Sequence, residues 1–523
     1  MSQCQLIGRE DVPGFESRNG LPWWPLPVSR RWVGGYLMLL AATIALRLLA
    51  MSAAPLVPEE AYYWMYAQHL DLSYFDHPPM VAWMIGLGTE VFGDTEFGVR
   101  AIGSLMMLGA SLLMYRFARA WFSRAAGVVS ALLLQVLPFY FGVGFIATMD
   151  SALVFFWLLC LVGLTAALRE GRVWGWYLAG MGLGAALLSK YTGIFLAVGT
   201  GLALLVHRPW RRHLLTPHPY LGFLCAVALF SPVIIWNGLH DWASLRFQFV
   251  DRFGPEPFRL KTVMAFAGFQ ILIATPVILW GCFRLMAQGL RNLGRPPTPR
   301  HVITYAFSLP LLLLMAYKAL RYNVHINWTV PAYLALLPAV SQWFIDRMNP
   351  RSRNSEQSLW ARGLLWTLVV CVLLNTGMCI YLLVLQPRLQ WISVFGPWKQ
   401  LAVVVDEYED RIERESGREP LIVADGKYRM ASVLAFYRKA LEGDVDASHY
   451  TTSQWIFGGT GLAYPYWARM DDWKGRDCLY VSNGKISIAD LQSHFDEVHL
   501  VSDPRLLAAR GHHWHLAIGK RLH

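Results

Sequence analysis

Residues 58–93 read PEEAYYWMYAQHLDLSYFDHPPMVAWMIGLGTEVFG, and this stretch is the most informative part of the chain. It directly follows the first long apolar segment, and residues 56–96 around it contain no Lys or Arg. A helical spacing relates Glu60, Tyr63, Trp64, Ala67 and Leu70. This spacing, with aromatic residues that suit the membrane interface, predicts an amphipathic helix lying on the membrane surface. The stretch is therefore interpreted as a first external loop that carries its own helix.

The chain as a whole has the composition of a multi-pass membrane protein. Of its 523 residues, 55% are hydrophobic and 15% are charged, whereas about a quarter of the residues of a typical soluble protein are charged. A membrane-spanning helix takes roughly 20 apolar residues. Eleven segments approach or exceed that length, at residues 32–54, 97–115, 125–145, 151–168, 174–189, 191–207, 220–236, 262–283, 302–317, 329–345 and 363–385. The predicted fold class is an α-helical polytopic membrane protein.

Positive charge is unevenly distributed among the connectors between these segments. Arginine clusters occupy alternate connectors, such as residues 116–124 and 208–212, whereas the first external loop has none. Because positively charged connectors stay in the cytoplasm, residues 1–31 are predicted to be cytoplasmic and the end of the chain to lie outside. The net charge of +11 is spread over connectors rather than gathered on one face, so nucleic acid is not an expected partner.

The last segment, residues 386–523, has a polar composition that differs from the rest of the chain. Strand-like and helix-like runs alternate there, at Leu421–Ala424, Cys478–Ser482 and Val498–Val501 for strands and Trp398–Arg414 and Tyr428–Lys439 for helices. This alternation predicts a small extracytoplasmic α/β domain of ordinary size. The predicted organisation is a cytoplasmic segment (1–31), a membrane domain (32–385) with a catalytic external loop (56–96), and a periplasmic α/β domain (386–523).

Two groups of polar side chains in the external loop are candidates for chemistry. Glu59 and Glu60 begin the predicted helix, where the positive end of the helix dipole favours carboxylates. They are either solvated terminal charges or a base that takes a proton from an acceptor hydroxyl or amine. Asp76 and His77 precede two prolines that stiffen the backbone. That pair is either a local contact or a ligand set for a divalent metal ion, the one candidate cofactor, or for a pyrophosphate-like group.

Lys190 lies at the outer apex of a short hairpin formed by residues 174–207. A charge beside lipid is costly, so Lys190 either extends to the interface or binds a lipid-linked phosphate. Arg47 and Arg100, at the ends of predicted spans, are expected to pack against the protein or to contact headgroups. The other outer connectors hold further candidate substrate-binding residues, namely Tyr191, Arg246, Gln248, Lys318, Arg321, His325 and Asn327. The cationic groups among them either stabilise an anionic leaving group or contact lipid headgroups.

Several motifs resemble a known family when they are taken together. They are PEEAYYW (58–64), YFDHPP (74–79), GVRAIGS (98–104), TMDSALVFFW (148–157), LLSKYTG (187–193), SPVIIWNGLHDWASLRFQ (231–248) and NVHINWTVPAY (323–333). They are similar to signatures of the bacterial members of the protein-O-mannosyltransferase-like superfamily. These are membrane glycosyltransferases with the GT-C fold, related to the aminoarabinose transferase of lipid A and the rhizobial lipopolysaccharide galacturonosyltransferases. The resemblance covers most of residues 54–333.

The resemblance implies a GT-C fold of about eleven helices and specific roles for several residues. In the family, the external loop opens with an Asp-Glu pair whose Asp is essential. Here the pair is Glu59 and Glu60, which leaves open which glutamate is the base. Asp150 matches the second external acid of the family. Asp76 and His77 match an acidic-basic pair that lies near metal and carrier phosphate in the relatives.

The sequence therefore predicts a glycosyltransferase of the bacterial inner membrane that uses a polyprenyl-phosphate sugar donor. Its acceptor is a lipid, a glycan or a protein, and its other partners are membrane lipids. No cytoplasmic connector contains a nucleotide-binding element, which favours a lipid-linked donor. The alternative is a polytopic transporter or lipid flippase without transferase activity. That alternative predicts ionisable groups in mid-span and internal symmetry, whereas the acids here lie at one edge.

Overall fold

The computed structural model describes residues 30–523 without residues 252, 253, 255, 292–295, 348–354, 390, 391, 393, 443–448, 485 and 508–512. The predicted cytoplasmic segment therefore lies outside the described residues, except for its last two. The membrane part contains α1 Arg30–Ala53, α2 Pro58–Gln68, α3 Met80–Phe92, α4 Glu96–Trp121, α5 Arg124–Val136, α6 Pro138–Val143, α7 Met149–Leu168, α8 Trp174–Ser189 and α9 Ile194–Val206. It continues with α10 His218–Leu239, α11 Ala243–Arg246, α12 Leu260–Arg291, α13 Pro299–Ala306, α14 Leu309–Ala319, α15 Val330–Arg347, α16 Ser355–Ile380 and α17 Gln386–Leu389.

All eleven predicted apolar segments are helical, although some of the helices are broken or short. Pro138 begins α6 and separates it from α5, and α12 is kinked at Thr275, just before Pro276, because proline interrupts helical hydrogen bonding. Among the described residues, six helices are long and apolar enough to cross a membrane, and two bent pairs bring the number to eight. The protein is therefore a helical multi-pass membrane protein.

The hairpin of α7 and α8 is packed so closely that only glycine fits at its contacts. A Cβ atom at Gly182 would lie 2.6 Å from the backbone nitrogen of Cys160, and one at Gly163 would lie 2.5 Å from that of Ala179. Small residues allow close approach of helices within a membrane. This packing fixes Lys190, directly after α8, relative to the start of α7.

The C-terminal part forms a five-stranded sheet with flanking helices. Its elements are α18 Trp398–Ser416, β1 Leu421–Ala424, α19 Arg429–Glu442, β2 Thr451–Ser453, β3 Cys478–Ser482, α20 Ile488–Gln492, β4 Phe495–Val501 and β5 His515–Leu522. The strand order is β2-β1-β3-β5-β4, with β1 parallel to both neighbours and β5 antiparallel to both of its own. The predicted strands and helices are present. Two strands were not predicted, namely β2, which has only three residues, and β5, which contains Lys520 and Arg521 near its end.

The prediction of an amphipathic helix on the membrane surface is wrong. Residues 60–66 of α2 are all buried, because α3 covers one side of the helix and α19 of the C-terminal part covers another. The Trp64 and Phe436 rings meet edge to face at 5.2 Å. The Tyr437 hydroxyl accepts a hydrogen bond from the Leu56 backbone nitrogen at 2.8 Å. The external loop is thus enclosed between the membrane helices and the sheet.

Candidate active site at the outer edge of the helices

Glu60 lies at the buried start of α2. Arg100 of α4 donates to both of its oxygens, from Nε to Oε1 at 2.8 Å and from Nη2 to Oε2 at 2.6 Å. The backbone nitrogens of Val57 and Ala147 donate to the same carboxylate at 3.0 and 2.8 Å. Both charged side chains are fully buried. The Glu60 carboxylate is therefore saturated by protein donors, and its geometry is that of a group that fixes α2 against α4.

Glu59, the neighbouring residue, is in a different environment. Its side chain is 35% exposed, and its Oε1 lies 3.3 Å from Nη2 of Arg429. The Tyr428 hydroxyl donates to the same oxygen at 3.4 Å. Within the part of the chain that the structure describes, no hydrogen bond or ion pair reaches Oε2. Of the two glutamates, Glu59 is therefore the one that keeps an oxygen available to a substrate.

Asp150 and Lys190 form a buried ion pair. Asp150 lies in the first turn of α7, and Nζ of Lys190 is 2.8 Å from its Oδ1. Nδ2 of Asn327 donates to Oδ2 at 2.7 Å. Because an ammonium group has three donors, Lys190 retains N–H groups for a further acceptor while Asp150 holds it in place.

Asp76 accepts hydrogen bonds from two tyrosines of α2. The Tyr62 hydroxyl is 3.0 Å from Oδ1, and the Tyr66 hydroxyl donates to the same oxygen. Nε2 of His77 is 3.7 Å from Oδ2. The Gln248 side chain donates to the Asp76 backbone carbonyl at 2.5 Å, which connects this loop to the segment after α11.

Tyr63 links the three acids electrostatically. It is buried, and burial together with the negative charges of Asp76, Asp150 and Glu59 raises the pKa of its hydroxyl. Its ring meets the His77 imidazole edge to face, with centroids 5.7 Å apart. Acids that are far apart in the sequence therefore act on one side chain of α2.

The loop after α10 contributes a cavity and further polar groups. The Tyr191 hydroxyl is 2.7 Å from that of Ser244, which joins the end of the α8–α9 hairpin to this loop. A cavity of about 410 Å³ is lined by Phe75, Leu239, His240, Asp241, Ala243, Arg246, Asp251 and Tyr466. Asp241 has a φ of 51°, a left-handed backbone conformation that is uncommon outside glycine and is often found at functional sites. Carboxylates, a guanidinium and aromatic rings thus meet in one open cavity next to the Asp76 loop.

The turn after α14 brings the remaining cations to the same side. Arg321 and His325 are exposed and Lys318 is half-buried, and the His325 ring lies 5.5 Å from that of Trp328. The same turn carries Asn327, which reaches Asp150. Hydrogen bonds of Asn327, Tyr191 and Gln248 thus connect several elements that carry sequence-predicted site residues. Glu60 is enclosed in structural contacts.

The predicted metal ligands do not form a metal site by themselves. Divalent ions usually take several protein ligands, whereas Oδ1 of Asp76 already accepts from Tyr62 and Tyr66. Among the described residues, no group of three or more His, Cys, Asp or Glu is arranged to hold a metal ion. Asp76 and His77 therefore do not fit a resident divalent ion without other ligands.

Sequence reasoning missed the partners of the acids. Arg100 was expected to pack or to contact headgroups, and it packs, as the buried partner of Glu60. Arg47 is likewise buried, with Nη1 3.3 Å from Oε1 of Gln135. The run YYWMY at residues 62–66 does indicate that α2 is buried, since a helix that is apolar or aromatic all round is a buried helix. Sequence contains no comparable signal for Tyr428 and Arg429.

Comparisons with known proteins agree with this architecture. A family model described as dolichyl-phosphate-mannose-protein mannosyltransferase matches residues 76–236. The lipid A galacturonosyltransferase RgtD of Rhizobium johnstonii is 26% identical over 309 residues, which are 58% of this chain and 63% of that protein. An undecaprenyl phosphate-alpha-4-amino-4-deoxy-L-arabinose arabinosyl transferase of Erwinia tasmaniensis is 36% identical over 97 residues, 18% of this chain and 17% of that protein. The chain thus matches less than two thirds of the length of either relative.

Solved structures share the fold over almost the whole chain. ArnT from Cupriavidus metallidurans in the apo state has a TM-score of 0.64 and 16% identity, covering 93% of this chain and 98% of its own. The same protein bound to undecaprenyl phosphate has a TM-score of 0.62 and 16% identity, covering 94% and 98%. At this identity the likeness shows the fold, which includes both the membrane helices and the C-terminal sheet.

Proposed function

We propose that this chain is a member of the GT-C superfamily of membrane glycosyltransferases, which its relatives and its fold support, and that it transfers a sugar from a polyprenyl-phosphate carrier to an acceptor outside the membrane. The membrane is the bacterial inner membrane, and the site and the C-terminal part face the periplasm. The acceptor is a lipid or glycan of the cell envelope, in keeping with relatives named for lipid A and undecaprenyl-phosphate sugars.

The single observation that carries the proposal is the arrangement of acids and a buried cation at the outer edge of the helices. The charges of Asp76, Asp150 and Glu59 all act on the buried Tyr63 hydroxyl, and Asp150 holds the Lys190 ammonium at 2.8 Å. An acid with a free oxygen and a nearby fixed cation are the two groups that a displacement at a sugar phosphate needs.

Glu59 acts as the base in the proposed reaction. The acceptor oxygen or nitrogen bonds to the anomeric carbon from the side opposite the phosphate, and the bond between that carbon and the phosphate oxygen breaks. The acceptor proton goes to Glu59, and the electron pair of the broken bond leaves with the phosphate. One displacement of this kind inverts the anomeric configuration.

The cations stabilise the departing polyprenyl phosphate. Lys190 keeps N–H donors beyond its bond to Asp150, and a cation held in a low-dielectric site stabilises developing negative charge strongly. Arg246, Lys318 and Arg321 add positive charge on the exposed side. These groups bind the phosphate before the reaction and neutralise it afterwards.

The remaining polar side chains hold the site and the acceptor in position. Asp76 and His77 orient the acceptor, with Gln248 fixing their loop through the Asp76 carbonyl. Tyr191, His325 and Asn327 keep the surrounding outer elements in place. Glu60 is no longer a candidate base in this proposal, because Arg100 and two backbone nitrogens occupy its carboxylate.

Transfer of labelled sugar from polyprenyl phosphate to envelope glycolipid in proteoliposomes tests the proposal. We expect Glu59→Gln to lower the rate about 100-fold or more, as removal of a general base does, and Asp150→Asn to lower it because the Lys190 ammonium loses the carboxylate that holds it. Full turnover in both variants contradicts the site. Movement of the lipid across the bilayer without a new glycosidic product instead supports the transporter alternative and contradicts the proposal that the protein is a glycosyltransferase.

A further inference from the structure

A short turn after β1 of the C-terminal sheet brings residues of the C-terminal part to Glu59. Asp425 directly follows this strand, and its Oδ2 accepts from the Ser482 hydroxyl of β3 at 2.9 Å. Gly426 follows with a φ of 80°, a conformation that strongly favours glycine. The carboxyl edge of parallel strands is where α/β domains commonly place functional residues. Here this edge carries Tyr428 and Arg429.

Tyr428 is fixed against α2 by ring stacking. Its ring lies 4.3 Å from that of Tyr62 with an interplanar angle of 29°. The Tyr62 hydroxyl in turn accepts from the backbone nitrogen of Ala463 at 3.0 Å. Two points of the C-terminal part therefore hold the same side chain of the external loop.

Both side chains converge on one oxygen of Glu59. Nη2 of Arg429 and the Tyr428 hydroxyl lie 3.3 and 3.4 Å from Oε1. Burial, together with the charge of Glu59, raises the pKa of Tyr428 to about 12. Tyr428 therefore remains a donor at any physiological pH.

We propose that Tyr428 and Arg429 are positioning residues for Glu59, an inference that rests on the function proposed above. They hold Oε1 and leave Oε2 to meet the acceptor proton. The reaction is faster when the base is already held in the reactive orientation, because less conformational entropy is lost on reaching the transition state. The C-terminal part is then a component of the catalytic centre.

Kinetics of sugar transfer in proteoliposomes test the role of Arg429. We expect Arg429→Gln to lower kcat about tenfold with little change in KM, and Arg429→Lys to restore part of the loss. Tyr428→Phe keeps the stacked ring and removes the donor, so a smaller fall in kcat is expected. Arg414→Gln is the matched control, since this exposed arginine donates to the carbonyl of Asp410 in its own helix. Thermal unfolding of each variant separates loss of folding from loss of positioning.

A double-mutant cycle distinguishes positioning from a separate contribution. If Arg429 acts through Glu59, the Glu59→Gln/Arg429→Gln protein is no slower than Glu59→Gln alone. A multiplicative loss, or a wild-type kcat in Arg429→Gln while Glu59→Gln is slow, overturns the inference and leaves the proposed function intact. A wild-type rate in Glu59→Gln contradicts the base itself, and with it the proposed function.

Discussion

Glu59 and Glu60 follow each other in the chain but project from α2 about 100° apart, since a helix turns once in roughly 3.6 residues. One carboxylate thus meets Arg100 and the other meets the C-terminal part. Composition and position identified both acids as important, but they did not assign a role to each. The assignment depends on Arg100, which lies 40 residues further along, and on Arg429, which lies in the sheet-containing part. Contacts at such separations arise from packing and leave no local pattern.

Replacement of Glu60 is expected to affect folding before chemistry. Glu60→Gln leaves the fully buried Arg100 without a counter-charge, and loss of one partner of a buried ion pair costs about 3–5 kcal/mol. Glu59→Gln removes a partly exposed carboxylate, and substitutions of that kind usually change stability by less than about 0.5 kcal/mol. Thermal unfolding in detergent measures both. Equal stability of Glu60→Gln and the wild type would contradict a structural role for Glu60.

At the scale of elements, apolar segment length predicted where the helices lie but not how they meet. The bounds of α7 and α8 agree closely with the predicted apolar segments. The external position of Lys190 was predicted from the short hairpin of residues 174–207. Its pairing with Asp150 depends on glycines that bring the two backbones together. The prediction that α2 lies on the membrane surface was wrong because it assumed that only one face of the helix is buried. The C-terminal part covers a second face of α2.

Glycine at the contact of α7 and α8 is expected to be required for stability. The Cβ of Gly182→Ala would lie 2.6 Å from the Cys160 nitrogen, and overpacking of this kind costs about 1–3 kcal/mol. Gly201→Ala in α9 is the control, because a Cβ atom at this position would have no neighbouring atom within 4 Å and alanine favours helix. A lower unfolding temperature for Gly182→Ala alone is the expected result. The same unfolding temperature for both variants would show that the hairpin can separate without cost.

At the scale of the whole molecule, a lipid-facing helical part is joined to a water-exposed part that contains the sheet. The stability of this second part is expected to depend on pH. Glu409 of α18 is buried, and burial raises its pKa from 4.5 to about 7, although Nη2 of Arg438 lies 3.1 Å away. The nearby charges of Glu419, Asp406 and Glu413 contribute to the same rise in the pKa. The folded chain therefore holds a proton that the unfolded chain releases above pH 4.5.

The sign of the pH effect follows from that difference in proton binding. The contribution of Glu409 to the stability of the C-terminal part is largest below about pH 4.5 and falls as pH rises to about 7, by up to about 3 kcal/mol. Glu409→Gln mimics the neutral acid, so it should match the wild type at about pH 5 and exceed it at about pH 8. Glu415→Gln, an exposed site on the same helix, should leave the pH slope unchanged. Hydrogen exchange at both pH values measures the C-terminal part separately from the membrane helices, and an unchanged slope in Glu409→Gln would assign the pH response to another group.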